Sequence, residues 1–235
     1  QKQLKAQSNM DDKATYTQNL FSSIADRYDL LNTLLSFDRD RYWRRLAAAK
    51  AELKLGGIAL DVATGTGKLA LELAKGNNTK VVGVDFCPSM LLKAKRLNSN
   101  IELALARAES LPFSDNAFDC ATIAFALRNV ADIGKTLQEM VRVVKVGGKV
   151  VCLEFSQPQY RLLGKIYHFY LFHLLPFIGG FISGNKEAYA YLPRSIAGFA
   201  HPEELKQMME KAGLKGVQIH SLTRRIATVH VGTKD

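Results

Sequence analysis

Apolar residues follow two different periods along this chain. Between Tyr16 and Leu53 they recur as Leu20, Ile24 and Tyr28, then Leu31 and Leu35, then Tyr42, Leu46 and Ala49. That spacing puts successive members on one helix face. From Ile58 short apolar runs alternate with helical segments. Ile58 to Ala63 reads as a strand, Lys68 to Lys75 as a helix, Val81 to Val84 as a strand and Pro88 to Leu97 as its helix. Pro88 stands at a helix start, where its missing N–H is no loss. Further strands are expected at Ile101 to Ala106, Phe118 to Phe125 and Lys149 to Phe155. Ile133 to Val144 is the helix between the last two, and Gly147-Gly148 reads as the turn that ends it.

Strand and helix in alternation imply a parallel sheet covered by helices on both faces. The rhythm breaks after Ser156, where residues 158–184 are long, aromatic and apolar. It resumes with a helix at Pro202 to Ala212 and strands at Val217 to Leu222 and Ile226 to Val231. Those two strands lie too close for a helical crossover, so they should pair antiparallel. The expected fold is α/β: a doubly wound, mostly parallel seven-stranded sheet with an N-terminal helical cap and a helical insertion. Residues 1–15 read as a mobile polar arm and 16–235 as one domain, with the cap at 16–55 and the insertion at about 157–200.

Composition narrows the class. The 235 residues suit one domain, and 47% hydrophobic against 23% charged residues exclude a disordered chain. Three scattered cysteines, Cys87, Cys120 and Cys152, form neither a disulfide framework nor a metal-ligand spacing, which favours a reducing cytoplasm. Residues 1–13 are polar, so no signal peptide is expected. The formal charge of +10 favours anionic partners, a phospholipid surface or nucleic acid. No run of five basic residues and no aromatic-basic RNA motif occurs, which argues against nucleic acid.

The richest stretch for chemistry is Leu60-Asp61-Val62-Ala63-Thr64-Gly65-Thr66-Gly67-Lys68-Leu69-Ala70. A strand ends in an acid, and a glycine pair then lets backbone approach a ligand at a helix start. Asp85 closes the second strand, where a carboxylate can accept both ribose hydroxyls of a nucleoside. Two readings compete. Gly65-x-Gly67-x-x-Ala70 followed by Asp85 satisfies a dinucleotide fingerprint and would suit an NAD-dependent oxidoreductase. Asp61, however, would repel a pyrophosphate and attract a cationic amino-acid head group, which suits S-adenosylmethionine. A third reading is a nucleoside-binding protein without catalysis.

Four further segments resemble the ubiquinone/menaquinone biosynthesis C-methyltransferase family, within the class I, Rossmann-like S-adenosylmethionine-dependent methyltransferases. They are Tyr28-Asp29-Leu30-Leu31-Asn32-Thr33-Leu34-Leu35-Ser36 running on to Trp43, Phe125-Ala126-Leu127-Arg128-Asn129-Val130, Arg142 to Ser156, and Tyr189-Ala190-Tyr191-Leu192-Pro193-Arg194-Ser195-Ile196. The likeness runs from about Leu20 to Gly232. Leu31, Asp40 and Lys68 depart from it, since the family usually has Met, His and Asp there. Lys68 is expected to face solvent.

The resemblance implies methylation of a ring carbon on a polyprenylated quinol, either demethylmenaquinol or the benzoquinol precursor of ubiquinone. The expected donor-binding residues are Asp61, Thr64, Gly65, Thr66 and Gly67, with Asp85, Phe86, Met90, Arg107, Ala108 and Ala124 beside the strand ends. Arg107 stands where the class often has a small polar or acidic residue, so its backbone and that of Ala108 are the expected adenine contacts. Arg128, Asn129, His173 and Tyr28 are the expected catalytic residues. Arginine is a poor base, so Arg128 is assigned to the developing phenolate or to a water, and Asn129 to positioning the ring. Alternatively Arg128 caps a helix or pairs with an acid such as Asp119. Candidate bases are His168, His173, Tyr28 and Asp29. The segment Leu162 to Ile182 is read as a lid whose apolar face receives the prenyl tail; Lys165, His168, His173, Pro176 and Gly179-Gly180 interrupt it as a membrane span. Arg161, Lys165 and Lys186 flank it, which suggests peripheral attachment to an anionic membrane, on the cytoplasmic face. A homodimer is one arrangement open to it.

Overall fold

The computed structural model describes residues 15–26, 28, 29, 32, 33, 36, 38–75, 78–97, 101–156, 169–174 and 186–235, with backbone alone at 171, 186–190 and 192. The polar arm falls outside these residues except for Thr15, as do Leu31, Leu35, His168 and most of the insertion. Residues 15–26 (α1) are helical. They are followed by α2 (Arg39–Lys50), β1 (Ile58–Val62), α3 (Lys68–Ala74), β2 (Lys80–Asp85), α4 (Pro88–Leu97), β3 (Glu102–Leu105) and β4 (Phe118–Ala124). The chain continues through α5 (Ile133–Val143), β5 (Val144–Phe155), a π-helical turn at Tyr170–Leu174, α6 (Lys186–Ala197), α7 (Pro202–Lys211), β6 (Leu214–Leu222) and β7 (Ala227–Lys234).

The seven strands lie in the order β3-β2-β1-β4-β5-β7-β6. β1 to β5 are parallel, whereas β7 runs antiparallel to both β5 and β6. Strand side chains alternate between faces, and the two cores follow that alternation. Leu60, Val62, Ile123, Val150 and Cys152 pack with Leu137 and Met140 of α5 and Leu205 and Met209 of α7. Ala59, Cys120, Val151 and Leu153 pack on the other face with Trp43 and Ala47 of α2 and Leu69 and Leu73 of α3. Each large apolar side chain buried this way contributes about 1.5–3 kcal/mol.

One expected boundary is corrected. Gly147-Gly148 does not lie in a turn between α5 and its strand, because β5 begins at once with Val144, which pairs with Phe118. The register then jumps to Lys149 opposite Cys120, so the glycine pair forms a bulge inside the strand. A Cβ on Gly148 would stand 2.5 Å from Val144 Cγ1 and 2.6 Å from the Asp119 carbonyl oxygen, so only glycine fits. The chain winds outward in opposite senses from β1 and from β4, which are neighbours. Between their carboxyl ends lies the crevice where open α/β sheets bind ligands.

Candidate active site

Asp61, one residue before the end of β1, is 1% exposed. Register places it opposite Gly83 of β2 and Thr122 of β4. The Thr122 hydroxyl donates to Asp61 Oδ1 at 2.7 Å, and the Thr64 hydroxyl donates to Asp61 Oδ2 at 2.7 Å. Thr64 reaches back because Gly83 leaves room: a Cβ there would be 3.0 Å from Thr64 Cγ2. Burial raises the Asp61 carboxyl to about 6, opposed by those hydroxyl bonds and by the field of Arg44. No ion-pair partner holds it among the described residues.

Asp85 ends β2. Its Oδ2 accepts the Gly65 N–H at 2.8 Å and its Oδ1 the Cys87 N–H at 2.8 Å. Burial raises its pKa too, opposed by these backbone donors. The Phe86 N–H is a third backbone donor, and the carboxylate keeps acceptor capacity for a further hydroxyl. β1 and β4 both leave the sheet through a left-handed residue, Ala63 at φ 51° and Phe125 at φ 57°. A non-glycine there costs about 1–2 kcal/mol, and both turns border the crevice.

A cavity of about 980 Å³, counting its open mouth, fills this crevice. Of the expected donor-binding residues Asp61, Thr64, Gly65, Thr66, Asp85, Phe86, Met90, Arg107, Ala108 and Ala124 line it, as do Tyr28 and Asn129 from the catalytic set. Gly67 instead caps α3 behind the loop. The Arg107 side chain is 42% exposed and lies 3.8 Å from Glu109.

Arg128 and His173 are not brought to the cavity wall formed by the described residues. The Arg128 side chain is 5% exposed and pairs with Glu154 at 2.9 Å. It also donates to the Phe125 carbonyl at 2.6 Å and to Ser195 Oγ at 3.2 Å, and lies over the Phe155 ring. The partner is therefore Glu154 and not Asp119, which sits at the opposite end of β4 and binds Lys145. His173 is exposed and stacked on Phe169, with ring centroids 5.1 Å apart. Burial raises the Tyr28 phenol, so it stays protonated and serves as a hydrogen-bond donor sooner than as a base. Asn129 Oδ1 accepts the Tyr191 hydroxyl at 3.1 Å.

The cap brings further residues to the site: Asp29, one of the candidate bases, and Asp40 and Arg44, which no local signal marked. Lys68, expected in solvent, is 23% exposed, 3.4 Å from Asp29 Oδ1 and 3.9 Å from Asp40 Oδ2. Asp29 also accepts the Thr66 hydroxyl at 2.8 Å, which joins the cap to the glycine loop. Arg44, buried on α2, pairs with Asp40, lies 5.1 Å over Phe125 and lines the cavity. Thr122 and Arg44 reach the site across 61 and 17 residues respectively from Asp61, distances at which only the assembled sheet and cap bring them in.

The strand order, with an acid near the end of β1, another at the end of β2 and a cavity at the topological switch, is an architecture of the class I methyltransferase type. The chain belongs to the ubiE/COQ5 methyltransferase family, whose model matches residues 9–234. A demethylmenaquinone methyltransferase from Thermus thermophilus is 48% identical over 92% of this chain and 100% of its own. A ubiquinone/menaquinone biosynthesis C-methyltransferase UbiE from Geobacter sp. strain M21 is 47% identical over 96% of this chain and 99% of its own. Among solved structures, a SAM-dependent methyltransferase from Thermotoga maritima shares the fold with a TM-score of 0.64 at 22% identity, over 93% of this chain and 100% of that one. A Haemonchus contortus N-methyltransferase in complex with S-adenosylhomocysteine does so with a TM-score of 0.60 at 16% identity, over 81% and 52%.

Proposed function

We propose that this enzyme methylates a ring carbon of a reduced, polyprenylated quinone, with demethylmenaquinol as its substrate and S-adenosylmethionine as donor. The observation that carries the reading is Asp61: a buried carboxylate on the cavity wall, held by two hydroxyls and by no ion-pair partner among the described residues. The ammonium group of a methionine moiety supplies that missing charge, whereas a dinucleotide's diphosphate would be repelled. Asp85, which keeps acceptor capacity beyond its backbone donors, suits a ribose hydroxyl. Relatives of this chain are named for menaquinone and ubiquinone biosynthesis, which supports the quinol.

When bound, the donor supplies an electrophilic methyl group on a sulfonium. The chain's own residues then have to present the acceptor. Tyr28 and Asn129 stand on the cavity wall and orient the ring through a hydroxyl oxygen. Loss of the hydroxyl proton to water at the cavity mouth would leave an oxyanion that makes the neighbouring carbon nucleophilic, and the protonated Tyr28 phenol donates to that oxygen. Arg128, tied to Glu154 and to the Phe125 carbonyl, is a positioning residue that sets the turn carrying Asn129. Alignment of this kind supplies about 7–11 kcal/mol. With the donor bound, the ring carbon would take the methyl as the methyl–sulfur bond breaks, leaving a neutral thioether, and the ring proton would pass to water at the open mouth of the cavity as the aromatic ring is restored.

A lipid substrate fits peripheral attachment to the inner face of a membrane. Exposed Phe169, just before the π-helical turn, and exposed Leu174 at its end support it, and no helix among the described residues is long and apolar enough to cross a bilayer. Labelled donor incubated with reduced demethylmenaquinol, beside the benzoquinol precursor, tests the proposal by product mass. A methylated naphthoquinol is the expected product; methylation of neither quinol would overturn the reading. Sedimentation with anionic vesicles at low salt tests attachment, and its absence there would remove the membrane from the account.

A further inference from the structure

Thr17 has no role in the account so far, and its surroundings are unusual. It sits on α1, is 1% exposed, and lines the cavity. Its Oγ1 is buried and has no hydrogen-bond partner among the described residues. A buried hydroxyl left unpaired is a cost that a valine of the same shape would avoid. Such an atom against an internal wall would be a defect, but in a residue that lines a ligand cavity it is a donor left over by the protein.

Its place along the cavity indicates which part of a ligand it meets. The next residue, Gln18, donates from Nε2 to the Phe86 carbonyl at 2.7 Å, immediately after Asp85. Ser22, further along the same helix, lies 3.2 Å from Cys87 Sγ. Lys93 of α4 pairs with Asp26 at 2.8 Å. Two polar contacts therefore hold α1 over the turn that follows Asp85, and a third ties it to α4. Asp85 can only accept hydrogen bonds when ionised. A ribose hydroxyl that gives its proton to Asp85 keeps oxygen lone pairs, and those need a donor.

We infer that Thr17 is a binding residue for the nucleoside of the methyl donor, its hydroxyl donating to a ribose oxygen held by Asp85. The cap thereby becomes part of the nucleoside subsite, and the same contact couples its seating to occupancy. This inference rests on the reading of the cavity as a donor site.

The test uses the full chain, S-adenosylhomocysteine as probe, and its 2′-deoxy and 3′-deoxy counterparts, with calorimetry and thermal melting. Thr17→Val is expected to melt at or above the wild type without ligand and to bind the probe about three- to tenfold more weakly. Thr17→Ser is expected to retain wild-type affinity. The deoxy compound lacking the partner hydroxyl should bind the wild type and the valine variant alike. Wild-type binding that valine leaves untouched would overturn the role of Thr17 alone, as would an equal loss in the serine variant, which would point to packing by the methyl group. Failure of the wild type to bind the probe would instead overturn the reading of the cavity.

Discussion

Two buried charges stand at the carboxyl end of the same sheet and are treated in opposite ways. Near the end of β1, Asp61 is surrounded by hydroxyls, faces a cavity, and is pushed up to about 6 by burial. Beyond the end of β4, Arg128 is matched by Glu154, by a carbonyl, by Ser195 and by an aromatic face, and is closed off from the cavity wall. Keeping Asp61 ionised at neutral pH costs about 3 kcal/mol even after the Thr64, Thr122 and Ala70 hydrogen bonds and the field of Arg44, and no ion-pair partner among the described residues offsets it. The Arg128 pair is satisfied within the protein. An uncompensated charge beside a cavity marks where a ligand completes the structure; a compensated one marks where the fold completes itself.

The largest effect expected from that contrast is on stability at the second site. Glu154→Ala leaves a buried guanidinium unmatched and should lower the unfolding free energy by about 3–5 kcal/mol, read from urea melts. A paired replacement, Arg128→Met with Glu154→Leu, should recover most of it. If Glu154→Ala melts like the wild type, the pair is not a structural lock. Donor affinity should change little in the paired variant, because neither side chain reaches the cavity.

The converse holds at Asp61. Asp61→Asn should weaken binding of S-adenosylhomocysteine by about ten- to a hundredfold, the worth of a hydrogen bond to a charged group. Stability of the unliganded protein should hold or rise, since the desolvated charge is gone. A variant that loses stability and keeps affinity would invert the comparison.

The two regions also differ in how far the sequence announces them. The strand and helix alternation is legible because each strand carries its own period, and Asp61, Gly65 and Asp85 are legible because they lie within one turn of a strand end. Lys68 is misread as a solvent residue because its partners, Asp29 and Asp40, come from the cap and leave no trace in the loop's own neighbourhood. Arg128 is visible as a residue, but its partner Glu154 lies on the adjacent strand, and register alone decides between it and Asp119. Thr17 carries no local signal at all, since an orphaned hydroxyl exists only once the walls around it do. Gly147-Gly148 follows ordinary turn chemistry and still sits in a strand, because the pairing of Val144 with Phe118 overrides it.

A titration sharpens the contrast further. The folded-state pKa of Asp61 is raised, so its contribution to the stability of the unliganded protein is full below its ordinary value near 3.8 and is lost as pH rises through about 6. Binding of an ammonium group demands the ionised form. Affinity for S-adenosylhomocysteine should therefore fall as pH drops through about 6, by up to about tenfold per pH unit. Calorimetry between about pH 4 and 8, about two units either side of that point, checks it, and Asp61→Asn should flatten the profile. A flat profile in the wild type would separate Asp61 from the ammonium.

The smallest effect tests whether an orphaned buried polar atom always signals a ligand. His230 of β7 is fully buried, its Nε2 lies 2.9 Å from the Pro202 carbonyl, and its Nδ1 has no partner among the described residues. It resembles Thr17 in that respect but does not line the cavity. Burial lowers its pKa, against the opposing bond to Pro202, so the neutral ring is the form that folds. The stability this provides is present above the ordinary histidine value near 6.5 and is lost as pH falls below it, by up to about 1.4 kcal/mol per pH unit. His230→Gln keeps a donor toward Pro202 and removes the titration, so its urea-melt stability should fall less steeply in that range, with donor affinity unchanged. An altered affinity would mean that His230 communicates with the site, and the cavity would no longer be what separates an orphan awaiting a ligand from one the sheet simply tolerates.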